Sequence, residues 1–252
     1  MLKIRLIPVL LLKKGRMVKT IKFNNLREVG NPSTTVRVYD AQGADEIVFL
    51  DIDASIEGRK SFYEIIEKAA DETFIPFTAG GGVRGLDDIK SLLSIGADKV
   101  SINTAALENP EFIRNAAEIF GKQCIVVSID VRTIGGRYYV VTGCGTKVSG
   151  LDPAEWAAKA EALGAGEILL SSIDRDGTMQ GYDLELIKMV SDVISIPVIA
   201  NSGVGNLQDF KDCLMKGGTN AIAAASIFHF TDQSIIKIKA FLKTAGFDVR
   251  QT

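Results

Sequence analysis

Small residues follow four apolar runs of this sequence, and they are of the kinds that bind phosphate groups. Glycine lets backbone N–H groups approach an anion closely, and a serine or threonine hydroxyl adds a further donor. The alternative is that small residues only permit tight turns, but the four loops form two matched pairs. We therefore predict one phosphate per pair. The predicted phosphate-binding residues are Gly81, Gly82, Asn103, Thr104, Gly203, Ala225 and Ser226.

Two aspartates also stand at the ends of apolar runs. Asp51 and Asp176 could contact a substrate, or they could orient Lys19 or a backbone amide. The sequence leaves both roles open. We assign Asp176 and its neighbour Gly177 to the same substrate site as the phosphate-binding loops.

Four charged residues stand at or near the starts of apolar runs, two positive and two negative. Strand starts face the end of a barrel opposite the active site, where unusual residues normally serve stability. On physics alone a salt-bridged plug is favoured, because a neutral ionic network can be buried whereas four unpaired charges cannot. The four residues are Arg5, Glu46, Lys99 and Glu167.

The composition excludes several kinds of protein. Formal net charge is −2 and no stretch concentrates Lys and Arg, so we expect no nucleic-acid partner. Cys124, Cys144 and Cys213 are far apart and His229 is the sole histidine, so we expect no metal site and no disulfide framework, and no cofactor is indicated. Cys144 is predicted to line the site without acting as a nucleophile, and His229 to support packing.

Apolar runs alternate with segments of helical period, which is typical of βαβ units in a parallel sheet. Eight such runs occur in 252 residues, the usual size of one barrel. We therefore predict a single α/β domain, residues 1–252, folded as a (β/α)8 TIM barrel. The predicted strands are Ile4–Leu11, Glu46–Ile52, Pro76–Ala79, Lys99–Ile102, Cys124–Asp130, Glu167–Ser172, Pro197–Ala200 and Ala221–Ala224.

The first run is too short to span a bilayer and lacks a small-residue cleavage pattern, so we interpret it as a buried strand of a cytoplasmic protein with no membrane partner. Asn109 and Asp152 each precede a proline and are predicted to cap a helix. Gly135 and Gly136 separate two β-prone runs and predict a hairpin between Arg132 and Thr142. Such insertions after strands point to the functional end of a barrel.

The chain also resembles itself at a spacing of about 120 residues, which indicates a repeated architecture. FTAGGGV at 77–83 matches VIANSGV at 198–204, and GADKVSINT at 96–104 matches GTNAIAAAS at 218–226. The barrel is therefore predicted to consist of two half-barrel repeats.

With these motifs in view, the chain resembles, nearly end to end, the cyclase subunit of imidazole glycerol phosphate synthase (HisF), a barrel of histidine biosynthesis. The strings that carry the resemblance are RLIPVLLLKKGRMVK, VFLDIDAS, PFTAGGGV, GADKVSINTAALENP, VVSID, GAGEILLSSIDRDGTMQGYD and IFHF. In that family, ammonia from a HisH-like glutaminase subunit travels along the barrel axis to a bisphosphorylated substrate. The resemblance thus implies a glutaminase partner at the bottom of the barrel, and an ammonia gate made of Arg5, Glu46, Lys99 and Glu167.

The family's two catalytic aspartates act as general acid and base at opposite strand ends. One corresponds to Asp130, but the position of the other holds Leu11, which can neither donate nor accept a proton. A positioned general acid or base usually raises the reaction rate by a factor of roughly 10² to 10⁴. Lys19 matches the family's loop lysine, and by that resemblance we count it with the catalytic residues.

The leucine run around Leu11 is similar to a HisF-like branch linked to acetamidino-sugar formation in surface polysaccharides such as lipopolysaccharide. Our first hypothesis is an ammonia-channelling synthase subunit of this branch, which supplies a phosphorylated acceptor or a separate ATP-dependent amidotransferase. The alternative is a working lyase and cyclase subunit of histidine biosynthesis that tolerates Leu11. A third hypothesis is a non-catalytic scaffold that binds a sugar phosphate, although a sensor has no use for a channel.

Overall fold

Eight parallel strands close into a barrel in the computed structural model, which describes residues 3–59, 61 and 63–250. Each barrel strand pairs with the next barrel strand along the chain, and the last pairs with the first. The predicted (β/α)8 barrel is confirmed. The strands are β1 (Arg5–Lys13), β4 (Ile47–Asp51), β5 (Phe77–Gly80), β6 (Lys99–Ile102), β7 (Ile125–Ile134), β10 (Glu167–Ser172), β11 (Val198–Asn201) and β12 (Ala221–Ala224).

Helices connect the strands and cover the outside of the barrel. No helix in the described ranges is both long enough and apolar enough to cross a bilayer. The helices are α1 (Pro32–Ala41), α2 (Ala54–Glu57), α3 (Tyr63–Ala70), α4 (Leu86–Ser94), α5 (Thr104–Glu108), α6 (Glu111–Phe120), α7 (Pro153–Ala162), α8 (Leu184–Ser191), α9 (Leu207–Lys216), α10 (Ser226–Phe230) and α11 (Ile235–Thr244), with a 3-10 turn at Lys122–Cys124.

Antiparallel strands extend the carboxyl end of the barrel at two places. After β1 the chain forms the hairpin of β2 (Arg16–Ile21) and β3 (Asn24–Gly30), and after β7 it continues into β8 (Arg137–Thr142) and β9 (Lys147–Val148). The predicted hairpin at Gly135 is confirmed. It also explains why β7 runs past Asp130, since its last residues pair with β8.

One of the two predicted helix caps is confirmed. The Asp152 carboxylate accepts hydrogen bonds from the backbone N–H groups of Ala154 and Glu155 and begins α7. The prediction for Asn109 is wrong, because Pro110 occupies the cap position of α6. The backbone carbonyl of Asn109, not its side chain, accepts the N–H of Phe112.

Side chains alternate between the two faces of each barrel strand. On β1, Leu6 and Leu10 point outward into the core beneath the helices, whereas Ile7 and Val9 point into the barrel. The inward residues form an apolar interior with Val48, Val126, Leu169, Ile199, Ala221, Ala223 and Ala225. This alternation follows from the period of two of a strand. The barrel is therefore a packed core between two polar ends.

The two halves of the barrel repeat local details as well as strand order. The first half contains β1, β4, β5 and β6, and the second half contains β7, β10, β11 and β12. In the loops after β5 and β11, Gly81 and Ser202 both have positive φ, +100° and +83°. Asp88 accepts hydrogen bonds from the backbone N–H groups of Arg84 and Gly85 at the start of α4, and Asp209 accepts those of Gly205 and Asn206 at the start of α9. These details agree with the predicted half-barrel repeat.

The loop after β5 leaves no space for a side chain at Gly81, because a Cβ there would overlap the backbone of Asp51. We expect Gly81→Ala to lower the free energy of unfolding by about 2–4 kcal/mol, through positive φ together with the overlap. Gly136→Ala is the matched control, since Gly136 also has positive φ but no atom lies within 4 Å of its Cβ position. It should cost only about 1 kcal/mol. Equal losses in chemical denaturation would contradict the predicted overlap.

Candidate active site

A cavity opens at the carboxyl ends of the barrel strands, and it is lined by all eleven residues predicted for catalysis or for substrate and phosphate binding, together with Leu11. Both halves of the barrel contribute to its wall. The structure thus brings together residues that are far apart in the sequence, although their roles remain predictions. They are Leu11, Lys19, Gly81, Gly82, Asn103, Thr104, Asp130, Asp176, Gly177, Gly203, Ala225 and Ser226.

Asp130 is the acid on the inner face of β7. Its Oδ2 accepts a hydrogen bond of 2.7 Å from Asn103 Nδ2. Burial raises the pKa of Asp130 to about 7, the charge of Asp176 acts in the same direction, and hydrogen bonds from Asn103 and Ser171 oppose the rise. A carboxyl group with a pKa near neutrality is suited to donate and accept protons.

Leu11 lies on the strand opposite Asp130, because three strands separate β1 from β7 on either side of the barrel. It is paired in register with Leu50 of β4, and both side chains pack on the apolar interior around Val9. The wall facing Asp130 is therefore hydrocarbon where a second acid would be needed for paired acid and base chemistry.

Lys19 reaches the cavity from the β2–β3 hairpin and is held by Asp176. Its Nζ lies 2.6 Å from Asp176 Oδ1, and Asp176 Oδ2 accepts hydrogen bonds from the Thr20 hydroxyl and the Phe23 N–H. Of the two roles left open for Asp176, this geometry corresponds to orienting Lys19. The contact also anchors the hairpin to the loop after β10.

Asp51 is paired with an arginine that the sequence did not single out. Arg59 approaches it with both terminal nitrogens, Nη1 at 2.6 Å from Oδ2 and Nη2 at 2.9 Å from Oδ1. The Asp51 side chain is fully buried beneath this guanidinium. Arg59 follows α2 by two residues in an irregular loop, so no periodic pattern could have indicated its approach.

The predicted phosphate-binding glycines have backbone conformations that favour glycine. Gly82, Gly177 and Gly203 have φ of +70°, +70° and +101°. A Cβ at Gly177 would overlap the carbonyl oxygen of Thr20, and one at Gly203 would overlap that of Gly181. These loops can therefore bring backbone very close to a ligand or to another loop.

Cys144 and His229 are placed as the sequence predicts, one in the cavity wall and one in packing. The Cys144 thiol donates to the carbonyl of Ile52, and burial raises its pKa to about 12, so it stays protonated. His229 lies 3.5 Å from the Tyr39 hydroxyl, and burial lowers its pKa to about 4, so its ring stays neutral. Within the described ranges, no group of three or more His, Cys, Asp or Glu could hold a metal ion.

The four charged residues at the strand starts form a closed ring of ion pairs at the other end of the barrel. Arg5 Nη1 lies 3.0 Å from Glu46 and 2.9 Å from Glu167, and Lys99 Nζ lies 2.9 Å from Glu46 and 3.0 Å from Glu167. The Thr78 hydroxyl donates to the remaining oxygen of Glu46. Each acid contacts both bases, so the ring is neutral. Its geometry is compatible with a plug and with a gate.

Three features define the class of this protein: the closed barrel, the cavity at the carboxyl ends of its strands, and the buried acid with a raised pKa. The class is a barrel enzyme with its site at the usual end of the fold. The family model described as "Histidine biosynthesis protein" matches residues 5–234, and the chain belongs to this family. Members of the family are isomerase and cyclase enzymes, so the chain is a barrel enzyme of histidine-biosynthesis type.

The pKa of Asp130 predicts a distinct pH dependence of stability. The folded state binds the proton more tightly than the unfolded chain, so this contribution is fully present below a pH of about 4 and is lost as pH rises through about 7. Relative to Asp130→Asn, which does not titrate, the wild type should lose about 2–4 kcal/mol between pH of about 4 and about 8. Chemical denaturation of both proteins at the two pH values measures this. An equal stability difference at both would mean that Asp130 titrates normally.

Proposed function

We propose that this chain is the synthase subunit of a glutamine amidotransferase complex in acetamidino-sugar or lipopolysaccharide biosynthesis. It receives ammonia from a HisH-like glutaminase docked at the ring, and delivers it through the barrel to a phosphorylated acceptor or to an ATP-dependent amidotransferase. A single combined observation carries the proposal. The ring of four ion-paired residues is complete at one end of the barrel, whereas at the other end Leu11 stands where the family has its second catalytic acid.

The interior between the two ends is suited to a neutral molecule. Between the ring and the cavity, an apolar cluster that includes Val48, Val126 and Leu169 occupies the inside of the barrel. Ammonia can enter such an interior, whereas ammonium would have to lose its hydration without a partner. A neutral ring that excludes bulk water and opens slightly would keep the ammonia from being protonated on the way.

Leu11 favours delivery of ammonia over complete cyclase chemistry at this site. Cyclisation with bond cleavage needs proton transfer on both sides of the substrate, and the wall that faces Asp130 holds Leu11, which cannot transfer a proton. The alternative, a working cyclase and lyase subunit of histidine biosynthesis, is supported by Asp130 itself, whose raised pKa suits either acid or base catalysis. Lys19, held by Asp176, would then be a further polar group facing the substrate.

Leu11→Asp tests whether one missing acid limits the site. If the rest of the cavity is competent, ammonium-dependent turnover of the bisphosphorylated cyclase substrate should rise by about 10² to 10⁴ over the wild type. Leu50→Asp is the matched control, because Leu50 is paired with Leu11 on the neighbouring strand of the same wall. Equal gains in both variants would indicate a nonspecific effect of an added carboxylate. No gain in either would mean that the cavity has also changed shape.

Lys99→Met tests the gate. The variant leaves Glu46 and Glu167 with Arg5 as their shared base, and it should lower the free energy of unfolding by up to about 3–5 kcal/mol. In the complex assembled with its glutaminase, transfer of amide ¹⁵N from glutamine into product should fall, while transfer from ¹⁵N-ammonium persists.

Lys188→Met is the control for this experiment, because Lys188 forms an exposed ion pair with Asp192 on α8. It should leave both nitrogen sources unaffected. Equal losses from glutamine and ammonium in a folded Lys99→Met protein would assign the ring to structure. Undiminished transfer from glutamine would mean that ammonia does not pass this ring.

A further inference from the structure

A row of three polar side chains crosses three adjacent strands in the second half of the barrel. Asp130 of β7 pairs in register with Ser171 of β10, and Ser171 pairs in register with Asn201 of β11. All three residues line the cavity. Paired residues of neighbouring strands lie roughly 5 Å apart and point to the same face of the sheet. The row therefore connects the buried acid to an amide group two strands away.

The hydrogen bonds along this row run in one direction. Asn201 Nδ2 donates to Ser171 Oγ at 3.0 Å. A serine hydroxyl has one proton and two lone pairs, so a hydroxyl that accepts from an amide keeps its proton for another acceptor. Ser171 is buried, and a buried hydroxyl normally has a partner for its proton. The Asp130 carboxylate is that partner, and the hydrogen bond from Ser171 favours its charged form.

The strand on the other side of β7 supplies a second donor to the same carboxyl group. Asn103, at the end of β6, donates from Nδ2 to Asp130 Oδ2 at 2.7 Å. Donors to a carboxyl group stabilise its charged form, whereas burial stabilises the neutral form. The balance of these effects keeps the pKa of Asp130 at about 7.

Charged and titratable groups from other elements also act on Asp130. Asp176, in the loop after β10, raises the pKa of Asp130, although Asp176 is itself paired with Lys19 of β2. Cys144, in the turn between β8 and β9, has a pKa of about 12 and is uncharged. The two hydrogen-bond donors are therefore what opposes burial at this carboxyl group.

The equivalent row in the first half of the barrel has a different character. It consists of Leu11, Leu50 and Gly80, which are in register on the first three strands of that half. A Cβ at Gly80 would overlap the carbonyl oxygen of Ser101, so an amide side chain does not fit there. Of the two rows, the one that contains the acid also contains the donors.

We propose that Asn201 and Ser171 are positioning residues for Asp130. Asn201 fixes the direction of the Ser171 hydroxyl, and this hydroxyl holds the Asp130 carboxylate ready to accept a proton. Without the pair, Asp130 would stay protonated at neutral pH and could act only as an acid. The inference rests on the proposed function, in which Asp130 is the acid of the cavity that transfers protons, and it adds the groups that control this transfer.

Carbon-13 NMR of protein labelled at the aspartate carboxyl groups measures the pKa of Asp130, and Asp130→Asn identifies its signal. Ser171→Ala should raise this pKa by about one to two pH units, because the charged form loses a direct hydrogen bond. Ser171→Thr keeps the hydroxyl and should keep the wild-type pKa. Asn201→Leu should raise the pKa by about half a pH unit, because the hydroxyl loses the donor that directs it.

Ser128→Ala is the matched control, because Ser128 lies two residues before Asp130 on the same face of β7 and pairs in register with Leu169. It should leave the pKa of Asp130 unchanged. A wild-type pKa in Ser171→Ala, or an equal rise in Ser128→Ala, would overturn the proposal. A rise in Ser171→Ala without one in Asn201→Leu would overturn the role of Asn201.

This titration needs neither a substrate nor a glutaminase. Its outcome is therefore separate from that of the nitrogen-transfer experiment, which tests the proposed function. Loss of the proposed function with the predicted pKa changes intact would leave Asn201 and Ser171 as the groups that control the Asp130 proton in another reaction.

Discussion

The register of the barrel strands determines which side chains face one another in the cavity at the carboxyl ends of the strands. The rest of the structure depends on this register. β7 pairs with β10 so that Asp130 stands beside Ser171, and β1 pairs with β4 so that Leu11 stands beside Leu50. A shift of one residue in either pair would turn these side chains outward into the layer beneath the helices. Closure of the barrel then fixes Asp130 and Leu11 on opposite walls.

Buried charged residues stand at both ends of the barrel interior, and the two ends are stabilised in different ways. At the strand starts, four charges neutralise one another in a closed ring, which makes their burial tolerable. At the strand ends, Asp51 and Asp176 each have a basic partner, whereas Asp130 accepts hydrogen bonds but pairs with no cation in the described contacts. Burial raises the pKa of Asp130 to about 7, which makes this group well suited to proton transfer.

Much of this architecture could be predicted from the sequence because its signals are local and repeated. Eight apolar runs indicated the strands, glycine pairs indicated the turns, and two matched loop motifs indicated the halves. The contacts that could not be predicted from the sequence join segments that are far apart in the chain and have no periodic pattern. Arg59 contacts Asp51 from an irregular loop. The predicted cap at Asn109 is wrong because Pro110 occupies the cap position of α6. Ser202 stood beside a predicted glycine, but only the fold reveals its positive φ and shows that its hydroxyl has no hydrogen-bond partner among the described residues.

The two ends of the barrel differ in their chemistry, with a closed ring of ion pairs at one end and, at the other, Asp130 facing Leu11 across the cavity. The most direct measurement is growth of a histidine auxotroph that lacks its own cyclase and expresses this chain with excess ammonium in the medium. Excess ammonium removes any need for a glutaminase, so the assay reports only the chemistry at the cavity. With Leu11 in place of the second acid, we predict no growth without added histidine. Growth at the rate supported by a functional cyclase would contradict the account.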